Sequence, residues 1–331
     1  MLFTLGIWML AGLLLSWGLT LLAMPPLIRY LHKIKFGQSE REEGLESHKK
    51  KTGTPTMGGV AFICISSLVY LILSWFSPWK MTMQSGIILM AFIGYGLIGL
   101  LDDWLIVVRK NNDGLKPAYK FGLQALLAVV FFLIYRNYSS TAIWVPGFDV
   151  WWNLGWLYFF LVFIMFTAET NAVNLSDGVD GLCAGLMVIA LIPFAVFAML
   201  DPLKIAGTGT VAILLACVIG SLLGYLHFNR HPAQVFMGDT GSLALGGLIA
   251  AAAMVLKEEI LLIVIGFVFV AEVLSVIIQV SYFKRTGKRI FLMAPLHHHY
   301  EKKGWPEEKV VTRFYAAGIV FALIGLILGF I

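Results

Sequence analysis

The chain has 331 residues, of which 59% are hydrophobic and 13% charged. A soluble protein carries roughly 45–50% apolar and about 25% charged residues, so this composition excludes a disordered chain, a disulfide scaffold and a soluble nucleic-acid binder. The formal net charge is a modest +5, and Cys64, Cys183 and Cys217 all lie in apolar runs without a C-x-x-C pair, as packing residues do.

A helix crosses a bilayer with about 17–25 apolar residues. Ten runs of that kind follow one another, at 2–24, 58–77, 85–101, 118–135, 154–173, 182–200, 205–226, 240–256, 260–282 and 314–331. The expected fold is therefore all-α, one polytopic membrane domain over residues 1–331. The run 2–24 has no basic residue before it and no A-x-A site, so it reads as a retained helix rather than a signal peptide. The run 154–173 ends in the polar Glu169-Thr170-Asn171, and 240–256 is short and rich in Gly and Ala.

If all ten runs span, the loops alternate sides. Twenty of the 24 Lys and Arg then fall in or beside the loops 25–57, 102–117, 174–181, 227–239 and 283–313. The positive-inside rule puts these loops in the cytoplasm and both termini outside. Trp144, Trp151, Trp152 and Trp156 surround an outer loop, as an interfacial aromatic belt would.

Four polar clusters interrupt the apolar background, each after an odd-numbered run and so on the cytoplasmic side. The first is Asp102-Asp103. Carboxylates at a helix C-terminus oppose the macrodipole, which favours a role in chemistry over one in stability. Adjacent helical residues point about 100° apart, so one acid can face a site while the other orients it. A solvated membrane boundary is the plain alternative. The second is Asn174-Leu-Ser-Asp-Gly-Val-Asp-Gly181, whose Asn174, Asp177 and Asp180 share a face if helical, although Gly178 and Gly181 favour a loop. Either way, several oxygens point one way, suiting a metal or a polar ligand. The third is Phe236-Met-Gly-Asp239, where Asp239 is either a plain N-cap or a ligand for Mg²⁺, and Phe236 either packs or stacks on a flat ring.

The fourth cluster is His297-His298-His299. Adjacent side chains diverge, so the triplet suits phosphate contact or proton handling better than zinc. A basic, Gly-containing stretch around Lys51, Thr54, Thr56 and Gly58-Gly59 precedes the second run, where a helix N-terminus can bind an anion. Lys116 and Lys120 flank the fourth run and add to the same field. Glu272 lies in the middle of the ninth run, where an acid demands a partner or a function, and the sequence names no partner.

With acids, bases and helix N-termini on one membrane face and no H-E-x-x-H, these features point to a metal-assisted reaction on phosphates, with one lipid and one soluble substrate. A secondary transporter would carry its acids at the midplane, with inverted repeats, and a structural scaffold does not explain four clusters on one face.

The motifs Thr54-Pro-Thr-Met-Gly-Gly59, Leu101-Asp-Asp103, Asn174 to Leu182, Phe236-Met-Gly-Asp-Thr-Gly-Ser242 and Pro295-Leu-His-His-His-Tyr-Glu301 resemble the phospho-N-acetylmuramoyl-pentapeptide transferase family. That family is a branch of the polyprenyl-phosphate N-acetylhexosamine-1-phosphate transferases of the bacterial cell membrane. The resemblance spans the whole chain. It implies a Mg²⁺-dependent homodimer transferring phospho-MurNAc-pentapeptide from its UDP carrier to undecaprenyl phosphate, giving lipid I and UMP. It implies Mg²⁺ at Asp239, a base at Asp102, and residues needed for activity at Asp103 and His297. It associates Asp180 and Phe236 with uracil and Lys51 with the nucleotide sugar. Asn174, Asp177, Thr56, Lys116, Lys120, His298 and His299 complete the expected substrate surface. A related enzyme using UDP-N-acetylglucosamine is the nearest alternative, and the triple His argues against it. In-line attack needs only a base and a metal, whereas a covalent aspartyl-phosphate route needs a carboxylate nucleophile; the sequence does not choose between them.

Overall fold

The computed structural model describes residues 1–34, 53–109, 114–148 and 150–331. Lys51 lies outside the described residues. Among the described residues, ten helices are long and apolar enough to cross a membrane. In chain order they are α1 (Leu2–Lys33), α2 (Gly59–Phe76), α3 (Met83–Arg109), α4 (Pro117–Tyr135), α5 (Tyr158–Leu175), α6 (Leu182–Leu200), α7 (Thr208–Asn229), α8 (Gly238–Leu256), α10 (Phe267–Thr286) and α12 (Glu307–Leu328). The described residues also form two short α-helices, α9 (Glu259–Ile265) and α11 (Leu296–Lys302).

All ten expected runs are present, but several boundaries move. Apolar runs stop at the first polar residue, whereas a helix stops only where its backbone must. Thus α1 continues through Pro25 and Pro26 to Lys33, and α3 continues past the acid pair to Arg109. The ninth run is split: α9 ends at Ile265, Gly266 caps it, and α10 starts afresh at Phe267.

The chain is also not purely helical. An antiparallel hairpin, β1 (Ala142–Val145) with β2 (Val150–Asn153), pairs Trp144 with Trp151 and Ile143 with Trp152. Alternation of apolar and polar residues was too brief here to signal strands. The hairpin also divides the tryptophans: Trp144 is buried, whereas Trp151, Trp152 and Trp156 are exposed.

The Gly- and Ala-rich run proves to be the central helix. α8 is enclosed over nearly its whole length, and its small side chains let α2, α3, α5 and α6 come close. Polar pins are few but specific; Thr20 of α1 and Ser221 of α7 share a hydrogen bond of 2.6 Å.

At the hairpin end sits a buried polar network. Lys257 donates to Tyr135 and to the carbonyl oxygens of Ser140 and Ala142, and Tyr158 donates to Glu259 at 2.6 Å. With its three donors taken, Lys257 fastens the hairpin to the end of α8. Burial lowers its pKa to about 8 and raises that of Glu258 to about 8.

Candidate active site

Because α3 runs on to Arg109, Asp102 and Asp103 project from the helix interior, not from its C-terminus. The expected conflict with the macrodipole does not arise. Asp103 is only 3% exposed and faces the start of α8. Its Oδ2 accepts the N–H of Thr240 at 2.9 Å and the Thr240 hydroxyl at 2.6 Å, while Oδ1 accepts the N–H of Asp239 at 3.1 Å. The first N–H groups of any helix lack intrahelical partners. Here α3 supplies the missing acceptor, and the N-cap residue Met237 supplies none. The reading of Asp239 as an N-cap is therefore replaced: Asp239 sits inside the first turn with its carboxylate free to point elsewhere.

This fit requires Gly99. A Cβ there would lie 2.0 Å from the carbonyl oxygen of Asp239, so any larger residue would push α3 off α8.

Asp102 points the other way. Its Oδ1 accepts the N–H of Leu115 at 2.9 Å, and its Oδ2 lies 3.8 Å from Lys120 Nζ. Lys120, in the first turn of α4, is ion-paired with Asp239 Oδ2. The other Asp239 oxygen accepts a hydrogen bond from Asn174 Nδ2 at 2.7 Å, and Asn174 also reaches Ser242 Oγ at 2.9 Å. Four helices thus deliver Asp102, Lys120, Asn174 and Asp239 to one place. Two carboxylates already share one ammonium here, so the donors are hard oxygens arranged around a positive charge, which fits a divalent cation such as Mg²⁺. Lys116 is exposed at the N-cap of α4, one turn before Lys120.

Asn174 and Asp180 do not act on one face. α5 ends at Leu175, and the backbone turns away with Asp177 half-buried on the turn. Asp180 Oδ2 accepts the N–H of Ala233 at 2.9 Å and lies 3.2 Å from His231 Nδ1. The Asp180 N–H donates to Glu307 Oε1 at 2.7 Å, and Glu307 Oε2 lies 3.5 Å from His231 Nδ1. Among the described residues, this is the group of three His, Asp or Glu whose ligand atoms lie within 4.8 Å of one another. It is a second polar centre, and hydrogen bonding already accounts for its geometry.

Phe236 is half-buried on the loop before α8. Its N–H donates to Pro55 O, its carbonyl accepts the N–H of Gly58, both at 2.8 Å, and Met237 O accepts the N–H of Gly59 at 3.1 Å. The Thr54–Gly59 motif and the Phe236–Asp239 motif are therefore laced together by their backbones. Thr56 is buried against Gly238, and its hydroxyl has no hydrogen-bond partner.

Glu272 has a partner after all. It and His297 are fully buried, with Glu272 Oε2 3.2 Å from His297 Nδ1 and Oε1 accepting the His297 N–H at 3.2 Å. The other ring nitrogen faces Gly178, where a Cβ would come within 2.5 Å of His297 Nε2. His297 thus bridges α10 to the turn that follows Asn174. The expected divergence of the triplet holds only for His299, whose Nδ1 accepts the N–H of Leu292 at 3.0 Å; the His297 and His298 rings pack together, 4.1 Å between centroids, with His298 Nδ1 2.7 Å from Glu301 Oε2. Partial burial, then Lys303, lowers the His299 pKa.

Sequence reasoning missed Thr240 and Ser242, although both stand in a motif it quoted. It missed Gly99, whose only signal is its place one turn before the acids. His231 and Glu307 carried no sequence signal, because their meeting is purely tertiary.

Ten helices among the described residues, long and apolar enough to cross a membrane, around a carboxylate–lysine cluster define a multi-pass membrane protein. Residues 85–257 match the model of glycosyl transferase family 4, which sets the class. Residues 51–63 match phospho-N-acetylmuramoyl-pentapeptide-transferase signature 1. The phospho-N-acetylmuramoyl-pentapeptide-transferase of Geobacillus thermodenitrificans is 50% identical over 314 residues, covering 94% of both chains. Those of Bacillus subtilis (49% over 315 residues, 95% of both chains) and Heliobacterium modesticaldum (48% over 311 residues, 93% of this chain and 94% of the relative) are similarly alike. The chain belongs to the phospho-N-acetylmuramoyl-pentapeptide-transferase family.

Proposed function

We propose that the chain transfers phospho-MurNAc-pentapeptide from UDP-MurNAc-pentapeptide to undecaprenyl phosphate, releasing UMP and forming lipid I. The observation that carries this is the meeting of Asp102, Lys120, Asn174 and Asp239 at the helix ends, in a chain of this family. A phosphate oxygen of the lipid attacks the sugar-bearing phosphorus, and the bond to UMP breaks. Asp102 is the carboxylate placed to take the proton of the lipid phosphate, held by Leu115 on one oxygen and facing Lys120 with the other. Lys120 offsets phosphate charge. Asn174 orients Asp239, and Asp103 sets the helix that bears it. Asp239, with Asp102 beside it, would hold Mg²⁺, which supplies charge neutralisation to the phosphates when bound. Asp103 acts through Asp239 and is a positioning residue, since its oxygens are already engaged. The saturated state of Asp103 and the ion pairing of Asp239 favour in-line attack over a covalent aspartyl-phosphate.

The distribution of Lys and Arg supports a cytoplasmic cleft with both termini outside, in the bacterial inner membrane. The protein is one domain, acts as a homodimer and takes no nucleic acid. Phe236 and Asp180 flank the uracil, with Lys51, Thr56, Lys116, Asp177, His298 and His299 along the donor. The experiment offers purified protein undecaprenyl phosphate with either UDP-MurNAc-pentapeptide or UDP-N-acetylglucosamine, with Mg²⁺ or EDTA. UMP and a lipid of lipid I mass should appear only with the muramoyl donor and Mg²⁺. Turnover with the acetylglucosamine donor alone would overturn the assignment, and near-normal turnover by Asp239→Asn would overturn the metal site.

A further inference from the structure

The chain between α3 and α4 returns to Asp102. α3 ends at Arg109 and α4 begins at Pro117. Asp102 and Arg109 are seven residues apart, so they share one face of α3, about 10.5 Å from each other along its axis. One peptide group bridges them. Its carbonyl, from Gly114, accepts a hydrogen bond from the Arg109 guanidinium at 3.1 Å. Its N–H, from Leu115, donates to Asp102 Oδ1 at 2.9 Å. A positive charge at the carbonyl end polarises the peptide and makes its N–H the better donor.

The bridge can lie so close because residue 114 has no side chain. A Cβ there would come within 2.7 Å of Asp102 Oδ2 and 2.8 Å of Oδ1. Any larger residue would push the peptide off the carboxylate or cover the oxygen that faces Lys120. The other end of the segment is fixed as well. Pro117 opens α4 and keeps Lys116 extended, at φ −57° and ψ 137°. Leu115 therefore stands at a set spacing from Lys120, which lies 3.8 Å from Asp102 Oδ2. One short run of chain, 114–120, grips both oxygens of a single carboxylate, and Arg109 ties that run back to the helix that bears it.

We propose that Arg109 and Gly114 are positioning residues for the transfer: acting through the Leu115 N–H, they hold Asp102 Oδ1 and leave Oδ2, beside Lys120, as the oxygen that receives the proton of the acceptor phosphate. This rests on the transfer reaction proposed above, with Asp102 as its base. In this role Arg109 needs no contact with substrate. A guanidinium acting only as one more positive charge on the membrane face would instead draw in anionic substrates and show itself in KM.

Steady-state UMP release by the full-length protein separates the two roles. Arg109→Met should lower kcat roughly two- to tenfold, the range of one ordinary hydrogen bond, with KM for both substrates near wild type. Arg109→Lys, which keeps a cationic donor, should recover most of that loss. Gly114→Ala should lower kcat roughly ten- to hundredfold, the range of a hydrogen bond to a charged acceptor. Adding Arg109→Met to Gly114→Ala should cost little more, because both changes break one bridge. A raised KM with kcat intact in Arg109→Met, a loss that disappears at high salt, fully additive losses in the double variant, or a wild-type kcat in Gly114→Ala would each overturn the bridge. Melting temperatures check folding, and where Gly114→Ala is destabilised the Arg109 variants, at the exposed end of α3, decide alone. An Asp102→Asn protein with near-normal turnover would instead remove Asp102 as the base, and a wild-type protein that releases no UMP would overturn the reaction itself.

Discussion

Asp103→Asn separates positioning from chemistry. Asp103 has one oxygen on Thr240 and the other on the N–H of Asp239. Asparagine can keep an oxygen towards Thr240, whose two donors favour that orientation. Its amide group then meets the Asp239 N–H, donor against donor. The loss of one hydrogen bond to a charged acceptor costs about 1.5–3 kcal/mol. The lost attraction between carboxylate and helix N-terminus adds about 0.3–1 kcal/mol, so the hydrogen bond dominates. At about 1.36 kcal/mol per decade, the combined loss of about 1.8–4 kcal/mol corresponds to a fall in turnover of roughly twenty- to several-hundredfold. Because Asp103 acts through Asp239, the apparent affinity for Mg²⁺ should weaken too, and higher Mg²⁺ should restore part of the rate. UMP release measured across a Mg²⁺ titration, on protein shown to be folded by its melting temperature, checks this. A wild-type rate would refute the reasoning, and so would a slow enzyme with unaltered Mg²⁺ dependence.

Other changes probe the surroundings. Gly99→Ala puts a Cβ 2.0 Å from Asp239 O and should cut turnover by at least tenfold, whereas Gly122→Ala, with open space around it, should leave the rate near wild type. Glu272→Gln should lower turnover, because the Glu272 carboxylate holds both the ring and the backbone N–H of His297 in place against Gly178; UMP release at the wild-type rate would refute this positioning role. For Glu258 the folded-state pKa is raised from 4.5 to about 8, so its contribution to stability is fully present below pH 4.5 and is lost as pH rises through about 8. Melting temperature in detergent should fall across that window, and Glu258→Gln should flatten the fall.

The ten spans were legible because bilayer crossing is a local, compositional demand. The expectation erred where a helix outlived its apolar run, as at α3. That error mattered, since it placed Asp102 and Asp103 at a terminus and gave them the wrong electrostatic argument. The divergence of the two acids was nevertheless readable from the 100° step between neighbours. Sequence could place Asn174 and Asp180 in one motif but could not say that they serve different centres. That depended on where α5 stops and on what His231 and Glu307, distant in sequence, bring to meet Asp180. Glu272 announced a need for a partner by its position alone, and only the fold could supply His297.

The identical residue type does opposite jobs at two adjacent positions, and the neighbours decide which. Asp103 meets the N-terminus of α8, where three donors converge, so its negative charge is consumed in holding Asp239 in place. Asp102, one step around the helix, meets a single N–H and a lysine that it shares with Asp239. A phosphate that draws Lys120 away would leave both Asp102 and Asp239 short of positive charge, which favours proton uptake at Asp102 and cation capture at Asp239. In the proposed reaction Lys120 would thus link substrate arrival to the state of both carboxylates, because one lysine stands between two carboxylates.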